Sequence, residues 1–340
     1  MKNTKYFIGL DVHKEKTTYV VLDKIGNTLL EGETATLYTE LYERLRTYLK
    51  SSSMIGLEAC TSYYTLYQNF LKNNYNIKVA NTIQLRQLIA KNDKLDAKRL
   101  AEMLRLGTFP CSYIPDEKIQ RIRSLVQVRH SLMEEKVRCN ARIQAFLDRN
   151  GVVMPPHKAF SKKWRQKLMQ YMGSGEVSME LRHEYDHFVF LEKKTEQLDQ
   201  ELQGYAHKNW KKEYHNIQSI TGIGPVIACY AIAHILPIER FSSNRKLRRY
   251  AGVVPTCKES GNKVSRGRIP KTSSRKLLRW SLIQAANTIG KTDTNLGRYY
   301  RMKKKQKKNA GIAKVAVASS LIDILYKVLT TKQPYNPKIK

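Results

Sequence analysis

Short apolar runs open the chain. Residues 6–12 read YFIGLDV, 17–23 read TTYVVLD and 27–33 read NTLLEGE, with Lys24-Ile25-Gly26-Asn27 before the third as a hairpin signal. Leu37, Leu41, Leu45 and Leu49 recur every fourth residue, which predicts a helix over 37–50. A strand at 54–59, a helix at 62–73, a strand at 77–82 and helical sequence over 83–106 follow. Three strands and then alternating helix and strand predict a mixed sheet flanked by helices.

Past residue 112 glycine becomes sparse and the apolar spacing lengthens. Ile122, Leu125, Val128, Leu132 and Val137 mark one long helix, and Phe188, Phe190, Leu191, Leu198, Leu202 and Tyr205 mark another, with Glu and Lys between them. The two-proline stretch 150–156 separates them, so the pattern predicts a helical hairpin of coiled-coil character and self-association into a homodimer or higher oligomer. From 209 to 335 the sequence is helical, basic and punctuated by glycine. Within it, 219–233 resembles a helix-hairpin-helix turn, in which Gly222-Ile223-Gly224 precedes a helix at Pro225 and points backbone N–H groups at a phosphate. The expected fold class is multidomain α/β plus α, with domains at 1–112, 113–208 and 209–335.

Charge identifies the partner. Lys and Arg number 61 against 29 acids, a net charge of +32, and residues 205–340 alone hold 29 basic against 5 acidic side chains. A folded chain with 41% hydrophobic residues and this excess expects a polyanion, DNA or RNA. The run RMKKKQKKN at 301–309 is a further phosphate contact or a solvated linker. No apolar run reaches the roughly 18 residues of a membrane span and no apolar leader opens the chain, so an intracellular, cytoplasmic protein is expected. Five scattered cysteines without a CxxC pair predict neither a disulfide framework nor a zinc site. Metal binding through the eight histidines, among them His13, His130, His157 and His234, is not expected either. Without a Walker or GxGxxG motif a nucleotide-driven motor is disfavoured.

Asp11 interrupts the first apolar run, where a buried unpaired carboxylate would be costly, so it sits at a strand end, reaches solvent or meets a cation. Glu58 ends the strand at 54–59, and Asp93 and Asp96 lie three apart in KNDKLDAKRLAEML, on one face of a helix. Four hard oxygen donors of this kind suit Mg²⁺ and phosphodiester chemistry. Equally, Asp93 and Asp96 can cap a helix and answer its dipole, and Glu58 can pair with a lysine. Ser260-Gly261 is followed by Arg266, Arg268, Lys271, Arg275 and Lys276, which grip phosphate. A serine oxygen there can attack phosphorus, or simply cap a turn.

The ordered set GLDVHK, GLEA, KNDKLDAKRLAEML, TGIGPVIA and AGVVPTCKESGNKVSRGRI resembles the DEDD-type insertion-sequence transposases, the bridge-RNA-guided recombinase family, over nearly the whole chain. The resemblance implies a RuvC-like, ribonuclease-H-like domain at 1–112 with Asp11, Glu58, Asp93 and Asp96 as Mg²⁺ ligands. It implies a coiled-coil dimerisation region at 113–208. It further implies a transposase domain at 209–335 whose serine nucleophile is Ser260, the two catalytic domains forming a composite site. Such a protein cuts donor and target DNA, forms a phosphoserine and exchanges strands, while a structured noncoding RNA chooses the sequences. A glycine usual in the family near Ser273 is absent, which adds Ser265, Ser273 and Ser274 as rival nucleophiles. Three other readings compete: a junction-cleaving nuclease that uses water, a tyrosine recombinase built on Arg248, Arg249, Tyr299 and Tyr300, and a non-catalytic nucleic-acid-binding protein.

Overall fold

The computed structural model describes residues 4–60, 62–88, 97–154, 160–173, 179–255, 257–260, 263–266 and 275–337, with backbone alone at 86–88, 257–260 and 263–266. Two compact units are present, Met1–Ile114 and Pro115–Lys340.

The first unit is built on a five-stranded sheet. Strands β1 (Tyr6–Val12), β2 (Lys16–Leu22) and β3 (Thr28–Ala35) run antiparallel in succession, and β4 (Ser53–Glu58) and β5 (Ile77–Ala80) continue the sheet parallel to β1, in the order β3-β2-β1-β4-β5. The β2–β3 turn is held by Asp23, whose Oδ1 accepts the N–H groups of Ile25, Gly26 and Asn27 at 2.9, 2.8 and 2.8 Å, while Gly26 takes φ +100°. The central strands are buried on both faces, as a parallel sheet covered by helices requires. Ile8, Leu10, Ile55, Leu57 and Val79 pack with helices α1 (Tyr38–Leu45) and α2 (Tyr63–Lys72) on one face. On the other face Phe7, Met54 and Ala80 pack with α4 (Ala97–Arg105), and Leu85 of α3 (Thr82–Leu88) joins them. The expected mixed sheet is thus present. The helix expected over 37–50 ends earlier, at Leu45.

The second unit is mostly helical. Helix α5 (Glu117–Arg149) starts at Asp116, which accepts the Ile119 N–H, and packs with α7 (Met179–Asn209), with α6 (Lys162–Gly173) against both. Ion pairs bridge the two long helices. Arg129 meets Asp199 at 2.8 Å, Lys136 meets Glu192 at 2.9 Å and Arg142 meets Glu184 at 2.7 Å. Partner numbers fall on α7 as they rise on α5, so the helices are antiparallel. Arg165 of α6 also forks onto Glu192 at 2.8 and 2.9 Å, and these bonds hold the Glu192 carboxyl down at about 2.

The apolar stripe of α5 differs from the expected one. Ile119, Ile122 and Val126, then Cys139, Ile143 and Leu147, are buried, while Val128 and Val137 are exposed. The first three pack with Leu198, Leu202 and Ala206 of α7 in the core of the C-terminal helices, and the last three pack with α6 and with Leu181, Phe188 and Leu191 of α7.

Helix α8 (Lys211–Gln218) leads to α9 (Pro225–Ile235), which is buried from Ala228 to Ile235 and forms the centre of the unit. Around it lie α10 (Asn244–Ala251), α11 (Lys276–Ile289), α12 (Asn295–Lys307) and α13 (Ala310–Thr331). A two-stranded ribbon, β6 (Cys257–Ser260) with β7 (Lys263–Arg266), was not expected from the sequence. Among the described residues no helix is long and apolar enough to cross a membrane.

Candidate catalytic site and nucleic-acid surface

Strands β1 and β4 carry the same four-residue pattern, Ile8-Gly9-Leu10-Asp11 and Ile55-Gly56-Leu57-Glu58, and lie in register, Ile8 beside Ile55, Gly9 beside Gly56 and Leu10 beside Leu57. Asp11 and Glu58 are therefore the next residues on two adjacent parallel strands. Because side chains alternate along a strand, both carboxylates share the face that Gly9 and Gly56 present to α4. Asp11 and Glu58 are half-buried, and His13 Nε2 lies 3.4 Å from Asp11 Oδ2. The repeated Ile-Gly-Leu-acid pattern is the signal that sequence reading passed over.

The glycines explain how α4 reaches these strands. A Cβ on Gly9 would lie 1.8 Å from the Ala97 carbonyl oxygen and 2.7 Å from the Ala101 nitrogen, and one on Gly56 would meet Leu104 and Phe109 at 2.8 Å. The first turn of α4 thus rests on Gly9, two residues before Asp11. Asp96 is the chain neighbour of Ala97. Asp93 and Asp96 themselves lie outside the described residues. Among the described residues no group of three or more His, Cys, Asp or Glu gathers as a metal site.

In the second unit Gly222 takes φ +88°, and a Cβ there would lie 2.4 Å from Ile289 Cγ1, so the α8–α9 turn packs closely on α11. Gly224 precedes Pro225 at the start of α9 in extended conformation and has open space where a Cβ would stand. Ser260 ends β6 opposite Lys263, at the tip of the ribbon, whereas Ser265 stands opposite Lys258 and Arg266 opposite Cys257. Arg275 and Lys276 are exposed at the start of α11. Arg268, Lys271, Ser273 and Ser274 lie outside the described residues.

Known proteins match this chain in both units. Residues 8–151 match the DEDD transposase family of IS110, and residues 214–301 match the IS116/IS110/IS902 transposase family. The transposase for insertion sequence element IS1111A of Coxiella burnetii is 22% identical over 98% of this chain and 92% of its own length. The transposase for IS1328 of Yersinia enterocolitica is 23% identical over 82% of each chain. A putative transposase of Sinorhizobium fredii is 22% identical over 70% of this chain and 64% of its own. The chain belongs to the IS110 family of DEDD transposases.

This transposase is accordingly an enzyme acting on DNA, and its DEDD class implies a divalent metal. Two other patterns in it have structural explanations. Arg248, one of the side chains a tyrosine recombinase would need, is forked onto Asp323 of α13, with Nε 2.7 Å from Oδ1, and Asn244 joins the same carboxylate at 2.9 Å. His183-Glu184-Tyr185-Asp186-His187 has the HExxH spacing of a zinc protease, which the reading of the histidines missed. In the transposase this segment lies within α7, with His183, Asp186 and His187 exposed, Tyr185 packed on the core and Glu184 engaged by Arg142 and the Cys139 thiol.

Proposed function

We propose that this transposase cuts and exchanges DNA strands through a phosphoserine on Ser260, with Asp11, Glu58, Asp93 and Asp96 as the ligands of Mg²⁺. The observation that carries the reading is the pairing of Asp11 and Glu58 on neighbouring strand ends, on the face where α4 begins one residue after Asp96. Hard, half-buried carboxylate oxygens fit Mg²⁺, which when bound polarises a phosphodiester and neutralises its charge. The sheet order and strand directions are compatible with a ribonuclease-H-like domain, the RuvC-like domain of 1–112.

The Ser260 hydroxyl oxygen attacks phosphorus, forming a serine phosphodiester as one backbone P–O bond breaks, and the serine proton passes to the strand hydroxyl that leaves. The ester keeps the bond energy of the strand, so rejoining to another strand needs no nucleotide hydrolysis. Gly222, Gly224, Arg266, Arg268, Lys271, Arg275 and Lys276 contact nucleic-acid phosphates, with the residues around 209–335 forming the basic surface. A structured noncoding RNA from the same element supplies sequence choice, and the helices of 113–208 bring a second copy of the chain.

The test is mass spectrometry of protein isolated under denaturing conditions after reaction with its element and Mg²⁺. A nucleotide remnant on the Ser260 peptide, lost in Ser260→Ala and Asp11→Ala, is the expected result. Cutting that persists in Ser260→Ala without an adduct would replace this mechanism with hydrolysis by water.

A further inference from the structure

Five side chains of the second unit, distant in sequence, meet at the C-terminal end of α9. Arg123 of α5 donates from Nε to the Ala233 carbonyl at 2.7 Å. Arg240, in the short 3₁₀ turn Ile238–Arg240, donates from Nε to the Ile235 carbonyl at 3.3 Å and from Nη2 to the His234 carbonyl. The last carbonyls of a helix need donors, and the negative end of its dipole favours cations, so α9 holds both guanidiniums in place. Arg240 also lies over the rings of Phe241 and Tyr250, 4.3 and 4.7 Å from their centroids. Arg275 completes the group, with Nε 3.1 Å from Tyr250 Oη and its guanidinium 5.5 Å from the ring centroid.

His234 lies beneath them. It is only 7% exposed, and neither ring nitrogen has a hydrogen-bond partner. Such a group is unfavourable unless something supplies the missing bonds. Two titrating groups of opposite type report the same field. Burial first, and then Arg123, Arg275 and Arg240, push the His234 imidazole down to about 3. Burial alone would raise the Tyr250 phenol, yet Arg275, Arg240 and Arg123 outweigh it and the net shift is downward. A cation is disfavoured and an anion favoured at the same place.

We infer that Arg123, Arg240 and Arg275, gathered around Tyr250 and His234, form a binding site for one phosphodiester of the DNA backbone. The guanidinium N–H groups that are not bonded to α9 or Tyr250 match phosphate oxygens, and the imidazole N–H and the phenol are additional donors. Exposed Arg275 opens the site to solvent and directly follows the segment 256–274 that carries Ser260. The assignment rests on the reading of the chain as a DNA transposase.

The experiment titrates full-length protein, with and without the transcript of the element's flanking noncoding sequence, against a labelled duplex of the element end at several salt concentrations. Single neutral methylphosphonates are then placed along the duplex. Arg275→Gln is expected to weaken DNA binding 10- to 100-fold and to lower the salt slope by about 0.9, one phosphate contact. The methylphosphonate position that harms the wild type should cost Arg275→Gln nothing more. Arg275→Lys should keep the slope, and His234→Phe, which removes only the deep donor, should weaken binding at the same position. Unchanged affinity in Arg275→Gln, a loss spread evenly over all positions, or a loss for RNA but not DNA would overturn the site. Ile25→Ser, at an exposed turn of the first unit with no part in the site, is the control that binds like wild type. Wild-type protein that binds no DNA under either condition would overturn the transposase reading itself, and this site with it.

Discussion

Replacing Gly9 with alanine tests the link between sheet packing and the carboxylate site. The added Cβ would stand 1.8 Å from the Ala97 carbonyl oxygen, where ordinary contacts begin at 3.4 Å. The obstacle is backbone on both sides, so neither side chain can turn away, and α4 must lift by about 1.5 Å. Ala97, Leu100, Ala101 and Leu104 are all at most 1% exposed, and each loses part of its contact with the sheet. Overpacking of this kind costs ~1–3 kcal/mol, and the opened gap along four side chains places the total near 3 kcal/mol. Hydrogen exchange over 97–105 reads this as faster opening of α4, while tryptophan fluorescence, confined to Trp164, Trp210 and Trp280, follows the second unit separately. Mg²⁺-dependent cutting should fall at least about 10-fold even where the protein stays folded, because Asp96 adjoins the displaced Ala97. Gly204→Ala is the counterpart, since Gly204 lies inside α7 with no atom within 4 Å of its Cβ, and it should stabilise by ~0.5–1 kcal/mol. Exchange protection of α4 that changes by less than about 0.5 kcal/mol in Gly9→Ala would refute the packing argument.

Asp11→Asn and Glu58→Gln should each reduce strand cutting by at least about 10³-fold while leaving the Tm within a few degrees, as gel assays and calorimetry would show. Glu192 is ionised in the folded state down to about 2, so its contribution is full above its ordinary value near 4.5 and is lost as pH falls from there through 2. Glu192→Gln should therefore cost roughly 2–3 kcal/mol at neutral pH and flatten the acid limb of a Tm-against-pH curve in that window. Arg248→Met should destabilise the second unit by ~1–3 kcal/mol in urea unfolding, since it leaves Asp323 with only Asn244. Ser265→Ala should retain the covalent adduct that Ser260→Ala loses, a comparison that mass spectrometry settles.

The strands were legible because parallel strands buried on both faces leave unbroken apolar runs, and Asp11 stood out by breaking one. Side-by-side strands could be expected to bring Asp11 and Glu58 to one edge, but their exact register spans 46 intervening residues and no local pattern fixes it. The Ile-Gly-Leu-acid repeat marks that register only once a sheet places its two copies side by side. On α5 the stripe was expected through Val128 and Val137, but both are exposed, and the buried positions are Ile119, Ile122, Val126, Cys139, Ile143 and Leu147. The cluster at His234 is invisible in sequence for a simpler reason. Its five members come from α5, α9, the 3₁₀ turn, α10 and the start of α11, and no local pattern relates them.

The turn at Asp23 lies at the opposite end of β2 from the residues that face Asp11, because Leu22 is paired with Phe7 whereas Thr18 is paired with Asp11. Ile25 at its tip is 79% exposed. Extra residues grafted there would extend a hairpin away from the carboxylates, so a fluorophore or affinity handle can be inserted between Lys24 and Ile25 to follow the enzyme on DNA. A single deletion between Gly9 and Asp11 has the reverse effect: it turns the carboxylate toward α1 and α2, inside the apolar layer.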